Sequence, residues 1–182
     1  NELNETAKSK SKPIEYLYLD FTSPNSVSDC LEILSKLDCI DVLVNNAGVN
    51  KIDTIDEIAD EDWDWIHVVN LKGPFLMTRM VAQTMKPQKS GRIVNISSIF
   101  GVVSKEKRAA YSTAKWGLVG FTKAVALDLA SHNILVNAVS PGFVDTELTR
   151  RVLGEKSIEE VMKKIPQQRL AKGEEIAKNV LF

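Results

Sequence analysis

The sequence has few of the residues from which cross-links and metal sites are built. Two cysteines and two histidines occur among its 182 residues. We expect Cys30 and Cys39 to be free, half-buried thiols, because nothing else in the chain is typical of a secreted disulfide scaffold. His67 and His132 lie far apart, with no cysteine or glutamate at ligand spacing beside them. The sequence therefore predicts no metal site.

Long apolar runs and an excess of one charge are absent as well. No segment approaches the ~20 apolar residues that a membrane-spanning helix needs, and the polar start, residues 1–12, is unlike a signal peptide. The formal net charge is −1, with acids and bases interspersed, so there is no basic stripe for a phosphate backbone. We expect a cytoplasmic protein without a membrane or nucleic-acid partner.

What the chain does contain is an alternation of short apolar runs with longer helical patterns. This alternation predicts βαβ units around a parallel sheet, in one α/β domain. The predicted strands are 14–19, 42–44, 91–98 and 135–139, and the predicted helices are 26–37, 61–85, 111–130, 157–165 and 174–182.

The helix predicted at 111–130 is apolar on nearly all sides. Leu118 and Phe121 belong to one apolar stripe, and Trp116 and Leu127 lie outside it. Such a helix is buried on more than one side. One side would pack on the sheet; the other would face a second subunit or a second helix of the same chain. We predict a homo-oligomer, a dimer or tetramer formed through the helices 63–86 and 111–130.

The helix predicted at 61–85 has a weak point near its middle. Asn70 is a mediocre helix former, and Gly73 and Pro74 follow it closely. A weak point of this kind is either a kink fitted to packing or a functional distortion.

Tyr111 and Lys115 lie one helical turn apart, so both side chains point from the same helix face. A tyrosine hydroxyl ordinarily titrates near ~10, too high for acid–base catalysis at neutral pH. A neighbouring ammonium group would favour the phenolate, so we expect Lys115 to lower the pKa of Tyr111. Taken alone, the pair is equally consistent with a half-exposed tyrosine beside a solvated lysine.

Small polar residues follow two of the predicted strands. Ser97 and Ser98 end one strand, where open α/β sheets form ligand crevices. We expect Ser98 to hold a substrate oxygen together with Tyr111, and Ser97 to satisfy local backbone. The run 45–48, Asn-Asn-Ala-Gly, ends another strand; its small residues either let a flat ligand approach the backbone or form a polar turn.

The loop between Ser98 and Tyr111 carries three basic residues, Lys105, Lys107 and Arg108. They could attract an anionic partner, such as a carrier protein. A solvated surface loop accounts for them equally well.

Taken together and in order, these motifs resemble those of the short-chain dehydrogenases/reductases. The motifs are Asn-Asn-Ala-Gly, Asn-Leu-Lys-Gly, Ile-Ser-Ser, Tyr-x-x-x-Lys and Pro-Gly-Phe-Val-x-Thr. The resemblance runs from about residue 14 to the end and is strongest to the 3-oxoacyl-acyl-carrier-protein reductase group. It implies a doubly wound, Rossmann-type parallel sheet with helices on both faces, and NAD or NADP as cofactor.

The resemblance also implies roles for individual residues. Tyr111 would be the proton-transfer residue, Lys115 would contact the nicotinamide ribose, Ser98 would orient the substrate, and Asn70 would hold a water in a proton relay. The cofactor-binding residues would be, besides Tyr111 and Lys115, Asp20, Phe21, Asn46, Ala47, Gly48, Pro141, Gly142, Val144 and Thr146. The segment 148–166 would cover the substrate.

One part of the family pattern is missing from this sequence. The family opens with a strand, a glycine-rich turn and a helix, but the first glycine here is Gly48. The segment that chooses between NAD and NADP and the closing strand are missing too, and residues 1–10 would be the end of the second helix. We therefore expect an incomplete Rossmann-type domain over 1–182, either a fragment of a longer chain or a truncated relative. A fragment is favoured, because the catalytic residues persist.

The leading functional prediction is an NAD(P)-dependent oxidoreductase acting on a carbonyl or secondary alcohol. The substrate would be a small molecule, with a 3-oxoacyl thioester of acyl-carrier protein as the first candidate. Within enzymes, the alternatives are sugar or polyol dehydrogenation, or epimerisation of a nucleotide sugar. A binding or regulatory protein without cofactor is the alternative from another class.

Overall fold

The computed structural model describes residues 14–181, which fall into two compact units, up to Leu37 and from Asp38 onward. The single domain predicted over 1–182 stays a prediction. Residues 1–10, predicted as the end of a helix, lie outside the described part. Among residues 14–181 no helix is long and apolar enough to span a membrane, and no three metal-ligating side chains form a group.

The first unit contains one helix, α1 (Pro24–Ser35). Ser23 caps it, because its hydroxyl accepts a hydrogen bond from the backbone N–H of Ser26 at 3.3 Å. Pro24 occupies the first turn, where its missing N–H costs nothing.

The strand predicted at 14–19 is wrong, since these residues have no regular secondary structure. Their composition suits a strand, and several of the side chains are exposed, Tyr18 at 79%. A strand needs a hydrogen-bonded neighbour in a sheet, and the sheet that the structure describes does not include this segment.

The second unit is built on a parallel sheet of three strands in the order β1 (Val42–Asn45), β2 (Gly91–Ile96) and β3 (Ile134–Val139). β2 is central and the most buried of the three, with Ile93 fully buried between the flanking helices. Burial of one such aliphatic side chain stabilises a fold by about 1.5–3 kcal/mol.

Helices connect and flank these strands. They are α2 (Asp60–His67), α3 (Gly73–Gln88), α4 (Ala109–Ala130), α5 (Glu147–Leu153), α6 (Glu155–Lys164) and α7 (Gly173–Leu181). α4 packs on β3, and α3 packs on β1 and β2. The predicted elements of this unit therefore exist, with ends displaced by a few residues.

The helix predicted at 61–85 is not continuous. A five-residue π-helical segment, Val68–Lys72, separates α2 from α3. The break coincides with the weak point predicted at Asn70, Gly73 and Pro74. Short π-helical segments are frequent at functional sites, so this break marks Asn70 for attention in the site below.

The thiols and the long helix partly match expectation. Cys30 and Cys39 are free as predicted, but one is buried and the other exposed.

On α4, Ala114 and Leu118 are buried, whereas Trp116 is 52% and Leu127 81% exposed. The exposed apolar side of α4 therefore remains uncovered in the described chain.

Candidate active site

A cavity of about 680 Å³ lies at the carboxyl ends of the three strands. Parallel strands end at one edge of the sheet, where open α/β folds hold their ligands. β1 is followed by Asn46, β2 by Ser97 and β3, after one residue, by Pro141, and all three residues line the cavity. We call this space the large cavity.

Most of the predicted cofactor contacts line the large cavity. They are Asn46, Ala47, Gly48, Tyr111, Lys115, Pro141, Gly142, Val144 and Thr146. Asp20 and Phe21 belong to the first unit, and their contact with cofactor stays a prediction. The Asp20 carboxylate accepts hydrogen bonds from the backbone and hydroxyl of Thr22, at 2.9 and 2.7 Å.

A second, smaller cavity of about 90 Å³ adjoins the large cavity at Ser98 and Tyr111. Ser98 and Tyr111 line both spaces. Leu148, Thr149, Val152 and Leu153, from the segment predicted to cover the substrate, line this small cavity. The tyrosine hydroxyl is thus placed where two different ligands could meet it.

Tyr111 is held in position by an aromatic neighbour. The ring of Phe100 packs edge-on against that of Tyr111, with 6.4 Å between the ring centres. Phe100 follows Ser98 in a short 3₁₀ turn, Ile99–Gly101, which Ser98 caps through a 3.2 Å hydrogen bond from the Phe100 backbone N–H. The turn therefore fixes Ser98 and Tyr111 with respect to each other.

The predicted lowering of the Tyr111 pKa by Lys115 is wrong in this structure. Burial raises the pKa of Tyr111 above its ordinary value, while a hydrogen bond with Ser98 and the charge of Arg108 act in the opposite direction. Helical spacing alone did not show that the phenol is partly desolvated, which disfavours its anion. Tyr111 is consequently a protonated acid at neutral pH.

Lys115 lies beside the tyrosine ring, but its ammonium group bonds elsewhere. Its Nζ is 5.8 Å from the centre of the Tyr111 ring and donates a 2.8 Å hydrogen bond to the carbonyl of Ile96, at the end of β2. Burial lowers the pKa of Lys115 to about 8. The group is therefore mostly charged at pH 7 and loses its charge in mildly alkaline solution.

Asn70 is fully buried, and its side chain is engaged by the loop after β1. The amide accepts a hydrogen bond from the Val49 N–H and donates one to the Val49 carbonyl, each 2.8 Å long. A Cβ on Gly48 would lie 3.5 Å from Asn70 Oδ1 and 3.7 Å from Lys115 Nζ, so these three residues are close neighbours. The predicted water relay through Asn70 stays a prediction; its amide is a clamp on Val49.

The two serines after β2 have separate tasks. Ser97 Oγ donates a 3.1 Å hydrogen bond to the backbone carbonyl of Lys115, so it satisfies backbone as predicted. It also ties β2 to α4 at the residue that carries the ammonium group. Ser98, by contrast, faces both cavities.

A buried polar network that was not predicted supports the site from below. Asn45 donates to Asn95 at 2.8 Å and to Thr78 at 3.3 Å, and Asn95 donates to Thr122 at 2.9 Å. Asn45 and Asn95 are register partners on β1 and β2. An asparagine at the same register position of two adjacent predicted strands was the available signal.

Arg108 is the residue that the sequence placed least well. It is 4% exposed, whereas Lys105 and Lys107 in the same loop are exposed. Its guanidinium lies over the Phe100 ring, 5.4 Å from the centre, and it lines the small cavity. The only signal was its spacing of one helical turn before Tyr111.

The large cavity fits the nicotinamide half of a dinucleotide. Its lining is mainly apolar, with small residues at Ala47, Gly48 and Gly142 where a flat ring needs close approach to the backbone. Polar groups that such a ligand uses for orientation are also present, among them those of Ser98, Tyr111, Lys115 and Thr146. These residues would hold the nicotinamide half of the cofactor.

Comparison with known proteins gives a consistent answer. The family model described as short chain dehydrogenase matches residues 1–157. The 3-oxoacyl-[acyl-carrier-protein] reductase FabG of Thermotoga maritima is 41% identical over 165 residues, which is 90% of this chain and 67% of that protein. The enzyme of the same name from Aquifex aeolicus is 42% identical over 165 residues, 90% of this chain and 66% of the relative. The chain spans about two thirds of these relatives.

Two solved structures have the same fold. One is described as a candidate gluconate dehydrogenase from Agrobacterium tumefaciens, with a TM-score of 0.88 and 28% identity, and covers 98% of this chain and 71% of its own. The other is described as a candidate NAD(P)-dependent gluconate 5-dehydrogenase from Beutenbergia cavernae with bound NADP at low occupancy; its TM-score is 0.86 at 29% identity, over 94% of this chain and 69% of its own. The predicted Rossmann-type fold class is confirmed.

Proposed function

The chain belongs to the short-chain dehydrogenase family of NAD(P)-dependent oxidoreductases, and we propose that the full-length protein reduces the 3-oxo group of a 3-oxoacyl substrate to a hydroxyl. The observation that carries this proposal is the position of Tyr111 and Ser98 on the border of two cavities. The names of the relatives support the substrate class, and acyl-carrier protein is the carrier that they suggest.

The chemistry divides between cofactor and protein. Bound NADH or NADPH supplies the hydride to the carbonyl carbon. Ser98 donates a hydrogen bond to the carbonyl oxygen, and Tyr111 gives that oxygen its proton. The raised pKa of Tyr111 suits this direction, because the phenol carries its proton at neutral pH.

Lys115 has a positioning and electrostatic role. Its ammonium group is anchored on the Ile96 carbonyl and faces the large cavity. There it would bond the hydroxyls of the nicotinamide ribose and stabilise the phenolate that forms when Tyr111 gives up its proton. Asn70 keeps the loop at Gly48 and Val49 in place beside it.

The assay that tests this proposal uses the full-length protein with NADH and NADPH. We expect acetoacetyl thioesters to oxidise the reduced nicotinamide, measured by its absorbance. If the protein neither binds reduced nicotinamide nor consumes it with any carbonyl substrate, it is the binding or regulatory relative without cofactor rather than an enzyme. The joint presence of Ser98, Tyr111 and Lys115 at one site supports the enzyme.

A second candidate, a sugar-acid or polyol dehydrogenase, is favoured by one observation. The structural neighbours are described as gluconate dehydrogenases, and the small cavity here contains a buried cation, Arg108. Oxidation of gluconate or a polyol with NAD or NADP, faster than reduction of acetoacetyl thioesters, would establish this alternative.

A homo-oligomer is part of the proposal. Phe75, His67, Leu71 and Phe121 line an open apolar depression between α2, α3 and α4, and Trp116 on α4 is half exposed. A second copy packed on this side would cover it. Light scattering of the full-length protein should report a dimer or tetramer, and a monomer would contradict this part. The expected cytoplasmic location stays a prediction for cell fractionation.

A further inference from the structure

The small cavity is lined on one side by a buried charge, that of Arg108, which has no ion-pair contact in the described chain. Arg108 is 4% exposed, and none of the ion pairs among residues 14–181 includes it. Glu106, two residues away, pairs instead with Lys105 at 3.3 Å, with 77% of its side chain exposed. Buried charges are almost always paired, since desolvation disfavours them strongly.

Two of the three guanidinium nitrogens of Arg108 also lack a hydrogen-bond partner within residues 14–181. Its Nε and Nη1 atoms are buried and have no acceptor among the described residues. The Phe100 ring beneath the guanidinium, 5.4 Å away, accounts for the face of this planar group but not for its edge, where the N–H groups point. Packing against Phe100 is therefore an incomplete explanation.

A second residue with an unpaired polar atom lines the same cavity. Asn50 Oδ1 is buried without a hydrogen-bond partner in residues 14–181, and Asn50 borders the small cavity with Arg108, Ser98 and Tyr111. Unsatisfied buried polar atoms are uncommon in folded proteins. Three of them, on Arg108 and Asn50, around one cavity indicate a polar ligand there.

Arg108 and Tyr111 lie together at the start of α4. Arg108 is the residue immediately before the helix and Tyr111 is its third residue, and both line the small cavity. The proximity is close enough for the guanidinium charge to influence the ionisation of Tyr111. A ligand whose carbonyl oxygen meets Tyr111 and Ser98 would present the next few atoms to Arg108.

We propose that Arg108 is a carboxylate-binding residue and that the substrate is a short oxo acid, or the corresponding hydroxy acid. The carboxylate pairs with the guanidinium edge while the oxo group meets Ser98 and Tyr111. This inference rests on the proposed reduction at Tyr111, and it takes the free oxo acid rather than a carrier-bound thioester as the substrate class. A volume of about 90 Å³ suits a small acid, being well below the ~300 Å³ of ordinary drug-sized ligand pockets.

The test compares two probes that differ only in charge, acetoacetate and methyl acetoacetate, on the full-length protein with NADPH. The wild-type protein should reduce acetoacetate with the higher kcat/KM. Arg108→Met should lower kcat/KM for acetoacetate about 10- to 100-fold, mainly through KM, as expected for loss of one charge-assisted pair. The same change should leave kcat/KM for the methyl ester within about twofold of the wild-type value.

Two further variants separate the carboxylate contact from other effects. Lys107→Met removes the same charge from an exposed position of the loop and should leave both probes unchanged. Arg108→Lys keeps the charge but loses the planar fork, so it should fall between wild type and Arg108→Met. If Arg108→Met does not fold, Arg108→Lys still tests the carboxylate contact, because it should lower kcat/KM for acetoacetate more than for the methyl ester.

Binding of acetoacetate in the presence of NADP⁺, measured by calorimetry, gives a readout without turnover. Binding that Arg108→Met abolishes supports the carboxylate contact even if turnover is slow. If wild type and Arg108→Met have the same kcat/KM ratio for acetoacetate over methyl acetoacetate, the carboxylate contact is overturned, while the proposed reductase stands. A protein that reduces acetoacetyl thioesters but neither probe keeps the proposed function and overturns the oxo acid as substrate. One that reduces none of the three refutes the proposed function, and the calorimetry still decides whether Arg108 binds the carboxylate.

Discussion

Two buried cations flank Tyr111, Lys115 on α4 and Arg108 immediately before it, and they differ in what holds them. Lys115, one turn after the tyrosine, faces the large cavity and donates a hydrogen bond to the Ile96 carbonyl. Arg108, one turn before it, faces the small cavity and leaves Nε and Nη1 unpaired. Burial lowers the pKa of each. The protein itself therefore holds the Lys115 ammonium group in place, whereas the Arg108 guanidinium needs a bound ligand to satisfy its hydrogen-bonding groups.

The residue between the two cations should give the largest effect. Tyr111→Phe removes the proton donor and keeps the ring that packs against Phe100. We expect kcat to fall about 10²- to 10⁴-fold, the usual contribution of a positioned acid, with NADPH affinity unchanged. Steady-state kinetics and nicotinamide fluorescence check this on the full-length protein. A variant with the wild-type rate would show that another group supplies the proton.

Removal of the fixed cation should impair turnover with every substrate. Lys115→Met deletes the charge beside the tyrosine and the presumed ribose contact, so kcat/KM should fall at least about tenfold for acetoacetate and its methyl ester alike. Equal loss on both probes separates this variant from Arg108→Met. If kcat/KM falls for acetoacetate alone, Lys115 binds the carboxylate, and the separate roles given to the two cations are contradicted.

Gly101 offers a way to disturb the packing that supports both cations. A Cβ at this position would lie 2.5 Å from Ser97 Oγ and 2.8 Å from the Lys115 carbonyl oxygen. Gly101→Ala should therefore force the 3₁₀ turn away from α4 and lower the free energy of unfolding by about 1–3 kcal/mol. Chemical denaturation measures this. An unchanged midpoint would mean that the turn is loosely packed.

The free energy of unfolding should also distinguish the two cations. A buried charge without partners costs stability, so Arg108→Met should raise the free energy of unfolding at pH 7 by about 1–2 kcal/mol. Lys115→Met should raise it less, because it leaves the Ile96 carbonyl without its donor. The exposed Lys107→Met is the control and should stay within about 0.5 kcal/mol. A larger gain for Lys115→Met would reverse our comparison.

The smallest effect is on pH dependence. Lys115 is charged below its lowered pKa of about 8 and neutral above it, so the rate of reduction should be about half its plateau near pH 8 and fall at higher pH. For stability the sign is opposite. The unfolded lysine keeps its proton up to about 10.4, so the penalty of burying the charge is relieved as pH rises from about 8. Lys115→Met should abolish this stabilisation, measured by denaturation at pH 7 and 9.

How far the sequence predicted the molecule depends on the kind of interaction. The strands 42–45, 91–96 and 134–139 and the helices between them follow from periodicity, because their apolar faces pack on their own sheet. The run 14–19 has the same composition yet forms no strand, since pairing depends on a neighbour that local composition does not describe. The weak point at Asn70 was visible, but its π-helical form was not.

The candidate site shows a similar division. Motif order and the family resemblance identified ten of the residues that line the large cavity, but not those contributed by α7. They did not show burial, so the direction of the Tyr111 pKa was predicted wrongly. For the same reason Arg108 could not be told from Lys105 and Lys107, which share its charge and its loop but remain exposed.

Binding of NADPH to two variants tests the division between the cations most directly. Fluorescence titration of the full-length protein should show that Lys115→Met weakens NADPH at least about tenfold, the loss expected of one charge-assisted contact. Arg108→Met should bind NADPH as tightly as the wild type. If both variants lose affinity to the same extent, or only Arg108→Met does, the two cations do not serve separate ligands and the account is wrong.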